Sequence, residues 1–462
     1  MECHRGHVFH VTGSPDVATA SNAVVQVPDG AVLVSSEGTI AWSGAWADRP
    51  SVEATVVDHH GAFLLPGFVD SHLHYPQVHC VDAYGGGQLL TWLERVVFPS
   101  EARLAQPAFA RQAALALCDR LVRAGTTTSL VFGSQFPAAQ DALAEEVGAR
   151  GLRMITGRTI MTTGPASATD LMTDDATAVA LARAEIDRWQ PAPGRATPFA
   201  GVALVPRFAL SVTPSTLASL GELYEEVREQ GVYVTTHLSE NRAEVADVLS
   251  RFAVRDYLDV YDGRFRPGSV IGGTSLLGRR TVLAHAVHCH PRELLRMSQS
   301  GTSIAHCPVS QDFLGSGTMP WRAVVGSGTR VALGSDIAAG DEWFMPRVLN
   351  ACFKAHVNAG DGAGTALEPG QLLYLGTLAG AQALDMDDRI GNLDPGKQAD
   401  FVVIDPSLSP SLAEVLDGRR PREDAREERD ALLFALLMAA REPAVADVYV
   451  GGRRLDAGAA HG

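Results

Sequence analysis

The chain has 462 residues, 46% of them hydrophobic, and a formal net charge of −15 from 53 acidic against 38 basic side chains. That length accommodates two ordinary domains or one large α/β barrel with additions, and the acidity argues against nucleic acid or an anionic membrane surface as the main partner. Six scattered cysteines with no Cys-x-x-Cys pair suggest neither a disulfide framework nor a zinc knuckle, and point to a reducing compartment.

The opening stretch MECHRGHVFHVTGSPD has no basic flank followed by an apolar signal core, and the histidines and cysteine of CHRGH (3–7) read as a solvent-exposed start. The longest helix-like apolar run, ALLFALLMAA at 431–440, is too short to span a bilayer. A soluble cytoplasmic protein without a membrane partner is expected. Short strand-like runs, NAVVQV, GAVLVS and GTIAWSG, fill the first sixty residues and return at the far end in ADFVVID (399–405) and ADVYVGGRRL (446–455). Neither end has strands enough for a stable sheet, so the two are expected to share one small β domain.

Between them, apolar strands alternate with helix-length amphipathic segments, the pattern of a parallel α/β architecture. Eight candidate strands end near FVDSHLH (68–74), TTTSLVFG (126–133), RMITGRTIM (153–161), GVALVPRF (201–208), VYVTTHLSE (232–240), TVLAHAV (281–287), SIAHCP (303–308) and RVALGSD (330–336). Helical stretches such as EARLAQPAFARQAALALCDRLVRAG and TPSTLASLGELYEEVREQG separate them and end at glycine. The count predicts a (β/α)8 TIM-like barrel, with a long open sheet as the alternative that counting leaves. VNAGDGAGTALEPG (357–370) and the charged SPSLAEVLDGRRPREDAREERD (409–430) read as surface connections.

Alternate residues of a strand face one side, so His72 and His74 can point together into a barrel mouth and meet one metal ion. A lone His-x-His is equally readable as hydrogen-bonded core or rim histidines. His237, His285 and Asp336, however, each close a predicted strand at the end where barrel enzymes place their sites. The set His72, His74, His237 and Asp336 offers nitrogen and hard oxygen without thiolate, which suits Zn2+ and also allows iron or another divalent ion. Glu240, three residues after His237, reaches the same place if the chain turns into a helix there; it reads both as a proton shuttle and as an acidic residue of a first helical turn. The chain has no Gly-x-Ser-x-Gly elbow, no His-Glu-x-x-His helix and no Pro-Cys-x-x-Cys element. Its only lysines, Lys354 and Lys397, fall outside the eight strands, which leaves no bridge for a two-metal site and predicts one ion per chain.

These residues sit in blocks that resemble a known family. PGFVDSHLHYPQ, QLLTWLERVVFPSEARL, AGTTTSLVFG, PRFALSVT, THLSEN, LAHAVH, AHCPVSQDFLGSG, GSDIAAG and IGNLDPGKQADFVV look like successive blocks of guanine deaminase, in the amidohydrolase superfamily, over nearly the whole chain. HYPQ, TWLERVVFP and PRF are the most specific. The resemblance implies a mononuclear zinc (β/α)8 barrel with a small β-sandwich built from both termini, assembled as a homodimer. The corresponding domains are 1–65 and 389–462 for the β-sandwich, the latter with the charged insertion and helix, and 66–388 for the barrel. It also implies His72, His74, His237 and Asp336 as zinc ligands, Glu240 as acid/base, His285 as a stabiliser of developing charge and Asp336 as an aid to proton transfer. Gln77 and Arg207 would bind the purine edges, Phe208 its face, and Trp92 would form a pocket wall.

The implied reaction is deamination of guanine to xanthine and ammonia by a zinc-bound hydroxide, within purine catabolism. The sequence departs from the family at Gln311 and Asp312, in AAGDEWF (338–344), where Asp341, Glu342 and Trp343 could favour a modified ring, and in MTTGP (161–165). The same chemistry on a modified guanine, a pterin or an amino-triazine is therefore the nearest alternative. A noncatalytic ligand-binding barrel is the alternative from another class, and retention of Glu240 beside the metal ligands argues against it.

Overall fold

The computed structural model describes residues 1–81, 83–84, 87–193, 197–268, 270–359 and 364–456. β1 (Glu2–Val11) pairs antiparallel with β2 (Val24–Val34), which carries β3 (Ile40–Ala45) on its other side; β4 (Thr55–Pro66) runs parallel to β1. Period two sorts the side chains of β2. Val32 and Val34 join Val8 and Leu64 in one cluster, whereas Ala31 and Leu33 meet Cys3 with Trp42 and Trp46 in another.

The barrel strands follow: β5 (Phe68–His74), β6 (Thr126–Phe132), β7 (Arg153–Gly157), β8 (Thr159–Ile160), β9 (Gly201–Pro206), β10 (Tyr233–Leu238), β11 (Thr281–His285), β12 (Ser303–His306) and β13 (Arg330–Leu333). Every residue of β5, β6 and β11 is buried, as strands covered on both faces require. Their order is β13-β12-β11-β10-β9-β7-β6-β5, with β8 attached to β9. Beyond β13 the Asp336 N–H donates to His72 O at 2.8 Å and the His74 N–H to Ile337 O at 3.1 Å, so main-chain bonds link the last and first strands of the series. This is the expected α/β class, a (β/α)8 barrel.

The last strands, β14 (Phe401–Ile404), β15 (Val445–Val450) and β16 (Arg453–Arg454), return to the terminal sheet. β14 lies antiparallel to β4, placing Phe401 opposite Pro66 and Ile404 opposite Phe63, and the seven strands run β16-β15-β14-β4-β1-β2-β3. Both termini thus build the small β-sandwich domain. Contacts divide the chain into two compact units, 1–70 with 119–128 and 342–462, and 71–118 with 129–341; the cut falls inside β5 and β6.

Helix ends follow local chemistry. The Thr213 hydroxyl caps the helix Pro214–Val227 by accepting the Thr216 N–H, and Gly231 stops the turn after it at φ +86°. Within the expected helix at 101–125 the long element is Pro107–Arg123, since proline lacks an N–H and suits a first turn.

Three expectations need correction. The single strand at 153–161 is two, because Arg158 gives its N–H and its Nε to Glu185 at 2.9 and 3.0 Å and leaves the ladder. The CHRGH stretch is not solvent-exposed: His4 is fully buried, between His59 and the rings of Phe401 and Tyr449, and burial takes its pKa down to about 3. The charged stretch 409–430 is not all connection, since Pro410–Asp417 is a helix and Asp424 caps the helix Ala425–Ala439. In the other stretch expected as a connection, 357–370, positions 360–363 lie outside the described residues. Among the described residues no helix is long and apolar enough to cross a membrane.

Gly157 closes β7 where an added Cβ would lie 1.9 Å from Ala203 O of the neighbouring β9. Backbone cannot swing aside as a side chain can, so Gly157→Ala is expected to cost about 2 kcal/mol or more of unfolding free energy. A lower urea midpoint at unchanged slope checks it, and an unchanged midpoint contradicts it.

Candidate active site

In β5 the alternation of the extended chain turns His72 and His74 to one side, with Leu73 between them on the other. His237 is the penultimate residue of β10, and register sets Leu238 beside His285, the last residue of β11. After His237 the chain does turn into a helix. Asn241 caps Arg242–Phe252 in a reciprocal box with Glu244, which accepts the N–H groups of Glu240 and Asn241 at 3.0 and 3.1 Å. Of the six described non-glycine residues at positive φ, four are here: Ser239, His285, Ala286 and Asp336. Each costs on the order of 1–3 kcal/mol, which the surrounding hydrogen bonds must offset.

All the strand-end groups singled out in the sequence come together. Asp336 Oδ1 lies 3.1 Å from His72 Nε2 and 3.2 Å from His74 Nε2, while His74 Nε2 lies 3.2 Å from His237 Nε2. His285 Nε2 lies 3.4 Å from Glu240 Oε2 and 3.7 Å from Asp336 Oδ2. Atoms of His72, His237, His285 and Asp336 fall within 4.8 Å of one another.

The donor chemistry fits a cation. His237 Nδ1 faces the carbonyl oxygen of Arg207 at 2.5 Å, so Nδ1 carries the hydrogen and Nε2 presents a lone pair toward His74. Burial lowers the pKa of His74 to about 4 and of His285 to about 3, and places His237 well below its ordinary value, so the imidazoles are neutral at pH 7. Imidazole nitrogens crowded on a buried carboxylate are poorly satisfied by protons alone, since one hydrogen on His74 Nε2 cannot serve both Asp336 and His237. A divalent ion satisfies them together, and three nitrogens with one carboxylate oxygen suit zinc or iron.

Two carboxyls here are driven apart. Burial works against ionised Asp336, but the field of His72 and hydrogen bonds from His72 and His74 outweigh it and hold the group well below the usual range. Burial, with Asp336 and Glu244 nearby, pushes Glu240 well above its ordinary value. Such a divergence suits one carboxyl to binding a cation and the other to carrying a proton. The Ser316 hydroxyl donates to Glu240 Oε1 at 3.4 Å.

His74, His237, Glu240 and Asp336 line a pocket of about 400 Å³ of empty space, its open mouth included. Gln77, Trp92, Arg207 and Phe208 line it as well, with Leu89, Leu93 and Leu314 completing an apolar wall. Trp92 donates its indole N–H to Ala83 O at 2.9 Å, which leaves its face to the pocket. The Arg207 guanidinium and the Gln77 amide both bond to a buried carboxylate, Glu101, that sequence reading left unassigned. Glu244 was also missed, although the spacing Asn-x-x-Glu announces its capping box.

The departures fall in various places. Gln311 is buried and donates to His285 O at 3.5 Å, Met161 belongs to the apolar cluster around Phe208, and Ala339 lines the pocket. Glu342 pairs with Arg347 at 3.3 Å.

The amidohydrolase family model matches residues 63–455. A probable guanine deaminase of Deinococcus radiodurans is 38% identical over 460 residues, covering 98% of both chains. The guanine deaminase of Escherichia coli is 34% identical over 458 residues, covering 98% of this chain and 97% of its own. The solved guanine deaminase of Bradyrhizobium japonicum matches with a TM-score of 0.85 at 29% identity, covering 98% of each.

If the four proposed ligands act as a set, elemental analysis of purified protein will find about one divalent ion per chain. Asp336→Asn and His237→Ala should then lose at least about tenfold in metal content while keeping the far-ultraviolet dichroism of the parent. Full metal retention in both variants contradicts the set.

Proposed function

The chain belongs to the amidohydrolase family, and from that premise we propose that it deaminates guanine hydrolytically, giving xanthine and ammonia. It is a metal-dependent aminohydrolase. One observation carries the reading: Glu240 and Asp336, whose carboxyls are pushed in opposite directions, flank His285 beside the pocket that Gln77 and Arg207 also line.

His72, His74, His237 and Asp336 would hold the ion, proposed as zinc, with iron chemically compatible. When bound, it supplies Lewis-acid activation of water at neutral pH. The chain's own residues supply positioning and proton traffic. Glu240 in its ionised form, a stronger base because burial raises its pKa, takes a proton from the attacking water and delivers it to ring N3. A bond forms between the water oxygen and C2. His285 stabilises the charge that develops, by hydrogen bonding from a buried imidazole, and Asp336 assists the proton transfer. Glu240 then passes the proton of the new C2 hydroxyl to the exocyclic amine, and as the C2=O bond forms the C2–N bond breaks and ammonia leaves.

Gln77 and Arg207 read the polar edges of the ring, Phe208 contacts its face, and Trp92 closes one wall. In this reading residues 66–388 are the catalytic barrel, with 1–65 and 389–462 as the small β domain. The same reading places the protein in the cytoplasm, as a homodimer acting in purine breakdown.

The test is ammonia release from guanine, substituted guanines, a pterin and an amino-triazine by protein of measured metal content. Guanine should show the highest kcat/KM; a much higher value for another ring would overturn the substrate. Glu240→Gln should lower kcat by about 10²- to 10⁴-fold with metal retained. Near-normal turnover in that variant removes Glu240 from the mechanism.

A further inference from the structure

We propose that Glu101 is a positioning residue that sets the ring specificity of the pocket, because its single carboxylate holds both Gln77 and Arg207. The proposal rests on the deaminase reading only for the identity of the ring. Glu101 lies in the short helix Phe98–Ala102 and is 1% exposed. Its Oε1 accepts from Gln77 Nε2 at 3.0 Å; its Oε2 accepts from Arg207 Nη1 at 2.5 Å and from Gln135 Nε2 at 3.4 Å.

The bonds fix orientation. The amide oxygen of Gln77 accepts the Ala338 N–H at 3.1 Å while its nitrogen faces the carboxylate, so a flipped amide would lose both contacts. Gln77 keeps one N–H and one lone pair for a ligand. Arg207 lies with its guanidinium carbon 5.1 Å over the ring of Phe98, and the N–H groups not given to Glu101 are available to the pocket both residues line.

A planar donor held in this way matches a ring that carries a carbonyl oxygen beside ring nitrogens. A ring lacking that oxygen would leave a buried guanidinium N–H unpaired. Polar sites reject near-isosteres by this penalty more strongly than apolar ones do. The alternative role for Glu101 is that of a counter-ion that merely keeps Arg207 buried. That role predicts lost stability and a general loss of activity, without a change in ring preference.

The experiment compares the parent holoenzyme with Glu101→Gln, Arg207→Met and the double variant on guanine and 2-aminopurine, which bears the same amine without the carbonyl. Glu101→Gln should raise KM for guanine about 10- to 100-fold, as losing a charge-assisted contact to a polar ring does, with kcat within about threefold. The guanine to 2-aminopurine ratio of kcat/KM should shrink, and the effect should largely vanish in the Arg207→Met background. Equal losses on both rings, a loss confined to kcat, or additivity with Arg207→Met overturns the proposal. Should Glu101→Gln fail to fold, Glu101→Asp is measured instead and must show the same KM effect in weaker form. If the parent ignores guanine, the substrate reading fails in the parent alone. The series then uses the ring it turns over fastest and that ring's counterpart without a carbonyl, and a preferred ring with no carbonyl overturns the role given to Glu101.

Discussion

Main-chain bonds between the two ends of the barrel series are the constraint from which the site follows. The Asp336 N–H on His72 O and the His74 N–H on Ile337 O tie the segment after β13 to β5. Without them the carboxylate of Asp336 and the two imidazoles of β5 would belong to opposite edges of an open sheet. With them, one carboxylate oxygen touches both His72 and His74. The backbone at Asp336 and His285 takes left-handed dihedrals to reach those positions, a cost the closed ring of hydrogen bonds sustains.

Burial then gives these groups their chemical character. In water the imidazoles would titrate near neutrality and both carboxyls would be ionised. Here burial favours the neutral forms of His74, His237 and His285, so they are lone-pair donors, while Glu240 is pushed toward its protonated form and Asp336 toward its ionised form. One pocket thereby gathers groups able to hold a cation and a carboxyl able to carry a proton, without any residue of unusual intrinsic chemistry.

Arg207 joins the two halves of the site. Its carbonyl oxygen fixes the tautomer of His237 at 2.5 Å, and its guanidinium is held by Glu101 at the same distance. Movement of this one residue would be felt both at the cation-binding face and at the edge proposed to read the ring. A residue with both duties is poorly placed to tolerate substitution, because main-chain and side-chain geometry there are coupled through one Cα.

What the sequence determined by itself was local: the period of two that sets His72 and His74 on one side of β5, the alternation of strands and helices, and polar residues at strand ends. The roles of Gln77, Arg207, Phe208 and Trp92 were legible only through likeness to family blocks, because an arginine or an aromatic after a strand has many ordinary uses. Tertiary structure alone decided that Glu101 is a buried hub, since an acidic residue in a short helix looks the same in sequence whether it faces water or a guanidinium. It likewise decided that Arg158 leaves its ladder for Glu185, and that His4 is enclosed against Phe401 and Tyr449 from the far end of the chain. Periodicity is written between neighbours a few residues apart, whereas burial and charge state depend on which distant segments arrive, and that is settled only when the chain closes on itself.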